Sequence, residues 1–372
     1  MSEAVSSNTD SSKKYRASIG TFDLMKGLCM FGVMLFHSAS YSRASAGMNI
    51  FHNIFGLAAM PIFFVVSGYG FRPMKAKKLV QKLWKELLIP YILCAAAIIV
   101  LTPVKRLAAG DVPEAALNHS LDFVLAFVFG LHHQGAGIRL LGHAVAWTSA
   151  AWFFLAMFWG SLLLNGILKI RNRQLQTVMA VLCVLLGILL EQELKWPNLC
   201  IDKSFCCAAF MYLGYTFKKR DWANRWGRRE HLPIFITAGL LMIITIVNER
   251  PAAEPGVLCH LLDNLLAGLL SLLVISLSFR TQHIENPVVS RIRSIGHYSV
   301  LFLAVHAVEM VIFPWWNIME KLKLLETVDL GIWLGTIGRL ILCSCGVWII
   351  RRIQRALDKR KKQKKSAREQ EG

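Results

Sequence analysis

Charged residues are scarce in this chain, at 17% of 372 residues against 55% hydrophobic, and acids are scarcer still, with 23 Asp and Glu against 42 Lys and Arg. A soluble protein of this composition would need a very large apolar core, and the repeated long apolar runs would be unexplained; a polytopic membrane protein accounts for both. The net charge of +19 is dispersed along the chain in alternating segments, so it does not form the patch that nucleic acid requires. No CxxC pair occurs among the nine cysteines, which mostly fall in apolar segments; this argues against a zinc site or a disulfide framework. The vicinal Cys206 and Cys207 read as small packing residues. Residues 1–20 are polar and Ser-rich and lack the apolar core of a cleaved signal peptide, so the first helix is expected to direct insertion. No repeat relates the two halves of the chain, and no stretch has the composition of a separate soluble domain.

Apolar runs near the roughly 20 residues that a bilayer requires place spans at about 22–41, 50–71, 86–104, 145–168, 175–194, 199–217, 232–248, 257–279, 297–314 and 331–350. The run Leu121–Leu131 is too short to span and is expected to be re-entrant or interfacial. Loop charges support this count: the loops on the side of the amino terminus carry 31 Lys and Arg, and the opposite loops carry 8. The positive-inside rule then puts both termini in the cytoplasm. The expected architecture is an all-α polytopic membrane protein of about ten transmembrane helices. A disordered cytoplasmic N-terminus (1–20) and a basic cytoplasmic tail (351–372) flank a transmembrane domain (21–350). The lysines between 359 and 365 suit topology and anionic lipid.

Polar groups within these spans are the chemical signal, because an ionisable side chain in hydrocarbon is costly. The first span carries Asp23, Lys26 and His37. Lys26 and His37 are eleven residues apart, which returns a helix to within roughly 20° of one face and separates them by about 16 Å. Asp23 lies near the same stripe. In the ninth expected span His306 and Glu309 share a face, and helical rise brings them and Arg339 of the tenth to about the depth of His37. An intramembrane histidine beside a carboxylate suits general base catalysis, and a structural polar cluster is the plainer alternative. Six cationic residues, Arg72, Lys75, Lys77, Lys78, Lys82 and Lys85, sit at the cytoplasmic mouth, either as ordinary topology charge or as a dock for an anionic donor. The Ser67-Gly68 step permits close backbone approach, and close helix packing explains it as well. His119, His132, His133 and His143 match no zinc spacing, so no metal is expected. A transporter or exporter of a polar saccharide would use the same midplane charges.

The ordered set Asp23-x-x-Lys26-Gly27 with His37, Phe63-Phe-Val-Val-Ser-Gly-Tyr69, Leu88-Ile-Pro-Tyr91, Ala151-Trp-Phe-Phe-Leu-Ala-Met-Phe158, Tyr212-Leu-Gly-Tyr-Thr-Phe-Lys218 and Ile295–His306 resembles the integral-membrane acyltransferase 3 family. Within it, the chain is most similar to the fucose 4-O-acetylase-like branch. The resemblance implies ten spans and transfer of an acyl group, usually acetyl, from cytosolic acyl-CoA to a carbohydrate, lipid-linked sugar or similar acceptor, in a bacterial plasma membrane. It maps the essential histidine onto His37 and the basic residue before it onto Lys26, where arginine is more common. The arginine pair usual before the Ile-Pro step is absent, with Leu83 and Glu86 in its register. On this reading His37, Lys26, Asp23 and Glu309 are catalytic, with His37 as catalytic base or transient acyl carrier. Ser67, Gly68, Arg72, Lys78, Lys82 and Lys85 bind the acyl-CoA, and His306 and Arg339 support the acceptor.

Overall fold

A computed structural model describes residues 18, 20–132, 139–140, 143–193, 198–225, 236, 239 and 257–371. The described chain is helical throughout, apart from a two-residue antiparallel pair, β1 (Arg139–Leu140) and β2 (His143–Ala144). The chain is an all-α polytopic membrane protein.

The helices are α1 (Asp23–Ser38), α2 (Ala46–Gly70), α3 (Ala76–Leu83), α4 (Ile89–Ala108), α5 (Pro113–Phe129), α6 (Trp152–Ile167), α7 (Arg173–Glu193) and α8 (Ile201–Lys219). There follow α9 (Val257–Thr281), α10 (Pro287–His297), α11 (Ser299–Ile312), the short α12 (Trp315–Lys321) and α13 (Leu330–Glu371). Among the described residues six helical stretches are long and apolar enough to cross a bilayer, or seven if the pair α10 and α11, bent by 75°, counts as one. The expected span at 232–248 lies outside the described residues, apart from Ile236 and Gly239, and α1 is only 16 residues long. Large apolar side chains left open on the protein surface, such as Leu93, Val100 and Val104 of α4 and Ile341 and Trp348 of α13, are the faces a lipid environment would cover.

Two expectations change. The apolar run at 121–131 belongs to the 17-residue α5, which starts at Pro113 and stops where Gly130 turns left-handed (φ 63°). The basic segment before the third expected span is not a loop but α3, whose Leu79 and Leu83 are buried while its lysines stay in the open.

Prolines shape the α3–α4 rod. Pro90 would clash with the carbonyl four residues back, at Glu86, and the chain relieves this with one π-helical turn, Trp84–Leu88, that joins the two helices without a break. Pro103 likewise leaves the Ile99 carbonyl without its helical donor. The Ser120 hydroxyl of α5 supplies it, donating to Ile99 O at 2.6 Å.

Glycines let two helix pairs come to backbone contact. A Cβ at Gly68 on α2 would stand 1.9 Å from the Met211 carbonyl of α8, and one at Gly214 on α8 would stand 1.9 Å from the Val65 carbonyl of α2. Gly27 on α1 and Gly296 on α10 form a similar reciprocal pair, at 2.1 Å from Ile292 O and 1.8 Å from Asp23 O. Such contacts hold α1 between α2, α10 and α13.

Candidate active site

The site grows from the carboxyl-terminal end of α1. Beyond Ser38 the chain makes a 3₁₀ turn over Ala39–Tyr41 and is then tied to the start of α13. Arg43 N–H donates to Thr327 O at 2.9 Å, Asp329 N–H to Arg43 O at 2.8 Å, and Ser45 N–H to the Asp329 carboxylate at 2.8 Å. This clasp sets the Tyr41 side chain against α13, where Gly335 makes room for its ring: a Cβ there would be 2.5 Å from it. One turn on, Gly338 does the same for Trp315.

Between those two aromatics lies Arg339, 3% exposed, its guanidinium carbon 5.3 Å from the Tyr41 ring centre and 5.4 Å from that of Trp315. It donates to the Tyr41 hydroxyl and, through Nη1, to Glu309 Oε1 at 2.5 Å. Glu309 Oε1 also meets His306 Nδ1 at 2.7 Å, while Glu309 Oε2 accepts from the Trp315 indole N–H. A carboxylate buried this fully is tolerable because both oxygens are occupied and a guanidinium neutralises it.

His306 is wholly buried, and its ring centre is 5.3 Å from that of His37. With Nδ1 engaged by Glu309, its Nε2 has no hydrogen-bond partner among the described residues. His37 is half-buried, and among the described residues neither of its ring nitrogens makes a hydrogen bond. The four groups read from the sequence as sharing one depth, His37, His306, Glu309 and Arg339, therefore do meet. Their arrangement is two adjacent imidazoles, one oriented by a buried carboxylate and the other open to a ligand.

The amino-terminal end of the same helix holds a separate cluster. Lys26 Nζ pairs with Asp23 Oδ1 at 2.6 Å, and His297 Nδ1 lies 3.2 Å from Asp23 Oδ2. Asp23 and Lys26 thus share the helix with His37 but do not touch it. Lys26 is held by a carboxylate instead of standing free.

A groove of about 1110 Å³ runs between α4, α11 and α13, with Lys85, Glu86 and Gln354 toward one end and Glu309, Ile312 and Phe313 toward the other. It is largely apolar and reaches Ser67 of α2. Of the residues expected to bind the donor, Lys85 and Ser67 line this groove. Arg72, Lys78 and Lys82 are exposed and do not line it, and Lys82 lies 3.8 Å from Glu86. Gly68 is turned to α8, where it serves helix contact.

His306, Glu309 and the Cys343 thiol offer three ligand atoms within 4.8 Å of one another. Glu309 Oε1 already receives both His306 and Arg339, so a metal ion there would displace the guanidinium and stand beside its charge. The donor set suits the ion pair, not a metal. The outer histidines scatter: His132 pairs with Asp202 at 3.2 Å in a buried site, and His119 meets Arg106 at 2.7 Å. His133 and the His143 side chain lie outside the described residues.

Tyr41, Trp315 and His297 escaped the reading of the sequence, as did the groove. Tyr41 carried a signal, since it stands four residues after His37 and so near its face. The indole had none, because aromatic residues are common at helix ends in membranes.

No curated protein and no solved structure matches the chain. A family model described as an acyltransferase domain matches residues 19–352, which takes in α1, the Glu309 cluster and both ends of the groove. The chain is a membrane acyltransferase, and it belongs to the acyltransferase 3 family.

Proposed function

We propose that the protein is an O-acyltransferase that moves an acyl group, most simply acetyl, from cytosolic acyl-CoA to a hydroxyl of a cell-envelope carbohydrate or lipid-linked sugar, in a bacterial plasma membrane. The observation that carries this reading is the pairing of His37, whose ring is unengaged among the described residues, with His306, which is oriented by Glu309, a residue that also lines one end of a groove large enough for a pantetheine arm. Within the family, the proposal assigns it to the fucose 4-O-acetylase-like branch, which its motifs resemble. Ten spans with both termini cytoplasmic complete the proposal.

The groove is the route of the thioester. Its Lys85 end offers a cation to the CoA phosphates, and its other end is lined by Glu309, the carboxylate that orients His306. His37 takes the proton of the acceptor hydroxyl as its oxygen attacks the thioester carbonyl carbon. The carbon–sulfur bond breaks, and the departing CoA sulfur takes from His37 the proton that His37 removed from the hydroxyl, which leaves the ester, free CoA thiol and neutral His37. The adjacent His306, held by Glu309, orients the acceptor through its free Nε2. Arg339 pairs with Glu309 and holds it in place, and its Nη2 lies 3.5 Å from the His37 carbonyl oxygen.

General base catalysis of this kind contributes about 10²–10⁴-fold. Purified His37→Ala protein is therefore expected to lose at least about 100-fold in transfer of label from acetyl-CoA to envelope glycan acceptors, with its unfolding temperature unchanged. Normal turnover by a folded His37→Ala protein would refute the assignment.

A further inference from the structure

A second concave site lies on a different face of α13, at the elbow where α10 meets α11. It is a notch of about 260 Å³ whose rim is formed by Arg291, Arg351, Arg352 and Arg355. Among the described residues none of the four has a carboxylate within ion-pair distance, and none of the residues lining the notch is acidic. Two of the guanidiniums are held by aromatic rings: Arg351 stands 3.8 Å from the centre of the Tyr298 ring and Arg352 stands 4.8 Å from that of Trp348. Four like charges kept together, two of them stacked on rings, with no counter-ion among the described residues, call for an external anion.

The position of the notch narrows what that anion is. Arg351 is the first charge after the apolar run 330–350, in which Arg339 is the only other, so the rim lies at the bilayer–water boundary. Its inner wall is apolar, from Phe302 and Val347, and Trp348 and Ser344 are exposed beside it, toward lipid. The volume is below the roughly 300–1,000 Å³ of sites for drug-sized ligands. It suits a phosphodiester with its glycerol and the start of an acyl chain, and it is too small for a phosphorylated nucleotide. The transfer groove uses another face of α13, so this site is separate from the acyl donor's path.

We infer that the notch binds one anionic phospholipid by its phosphate headgroup, with Arg351 and Arg352 as the principal contacts. The bound lipid clamps the α10–α11 elbow to α13. Because the same elbow carries His297 against Asp23, lipid occupancy also steadies the amino-terminal end of α1.

Native mass spectrometry of the full-length protein, with phosphatidylglycerol added to detergent micelles, tests this. Two basic residues at a membrane surface are worth about 30-fold in affinity. Arg351→Gln/Arg352→Gln is expected to lower retention of one phosphatidylglycerol by about that factor. Neutralising Lys359, Lys361, Lys362, Lys364 and Lys365 together is expected to leave it intact. Ser344→Phe fills the notch without removing charge and is expected to abolish retention too, which keeps the test open if the double variant does not fold. Retention by the arginine and Ser344 variants at the level of the unaltered protein would overturn the inference, as would loss in the lysine variant alone. Displacement of the lipid by millimolar inorganic phosphate or by adenosine 3′,5′-bisphosphate would overturn it in favour of a soluble anion.

Discussion

Glu309 is the residue on which most of the site depends, since it accepts from His306, Arg339 and Trp315 at once. Removing one partner of a buried ion pair costs about 3–5 kcal/mol, because the other charge is left uncompensated. Arg339→Leu, which strands the Glu309 carboxylate, is accordingly expected to lower the unfolding temperature in detergent markedly. Glu309→Gln keeps the shape, and its one carbonyl oxygen can accept from Trp315 while its NH2 donates to an unprotonated His306 Nδ1, but it removes the charge that pairs with Arg339. The double variant Glu309→Gln/Arg339→Leu removes both charges, and should regain a good part of the stability that Arg339→Leu loses while transfer stays impaired. A double-mutant cycle in thermal unfolding, run beside the transfer assay, measures this. Additive losses of stability would show that the pair does not bind as described.

At the scale of the element, the helices are positioned by glycine contacts more than by side-chain chemistry. The reciprocal Gly68–Gly214 contact brings α2 and α8 together and so fixes Ser67 at the groove wall. Gly214→Val forces the backbones apart, and overpacking of this kind costs about 1–3 kcal/mol. Loss of thermal stability is expected there, whereas Gly166→Ala, which meets no atom within 4 Å, should be neutral. Unfolding followed by intrinsic fluorescence separates the two cases, and equal stability would remove the argument for close contact. This scale also shows where the sequence was readable. Asp23, Lys26, His37, His306, Glu309 and Arg339 stood out because charge in an apolar run needs a reason. Tyr41 and Trp315 did not, since aromatics need none. The continuous α3–α4 rod was hidden because Pro90 reads as a helix start, and only the π-helical turn before it shows how the helix passes through. The groove is empty space among helices distant in sequence, which no local pattern encodes.

At the scale of the whole molecule, two independent observations bear on which ends share a side of the membrane. The loop charges alternate along the chain and place both termini with the basic loops. The structure supplies a physical link: Asp23 at the start of α1 bonds His297, and the next residue, Tyr298, stacks under Arg351 at the start of the tail. The amino-terminal end of α1 and the point where α13 leaves its apolar run must therefore lie on one side, so the chain between them crosses an even number of times. The clasp of Arg43 and Ser45 with Thr327 and Asp329 belongs at the opposite end of α1 and of α13. Reporter fusions active only in the cytoplasm are expected to be active at both termini, and a cysteine placed at Ser45 should be labelled only from the outer side. Opposite sides for the two termini would require an odd number of crossings and would break both the charge rule and the Asp23–His297 bond. The residues around 232–248 would then be the first place to look, since one more or one fewer crossing there changes the parity without touching the site.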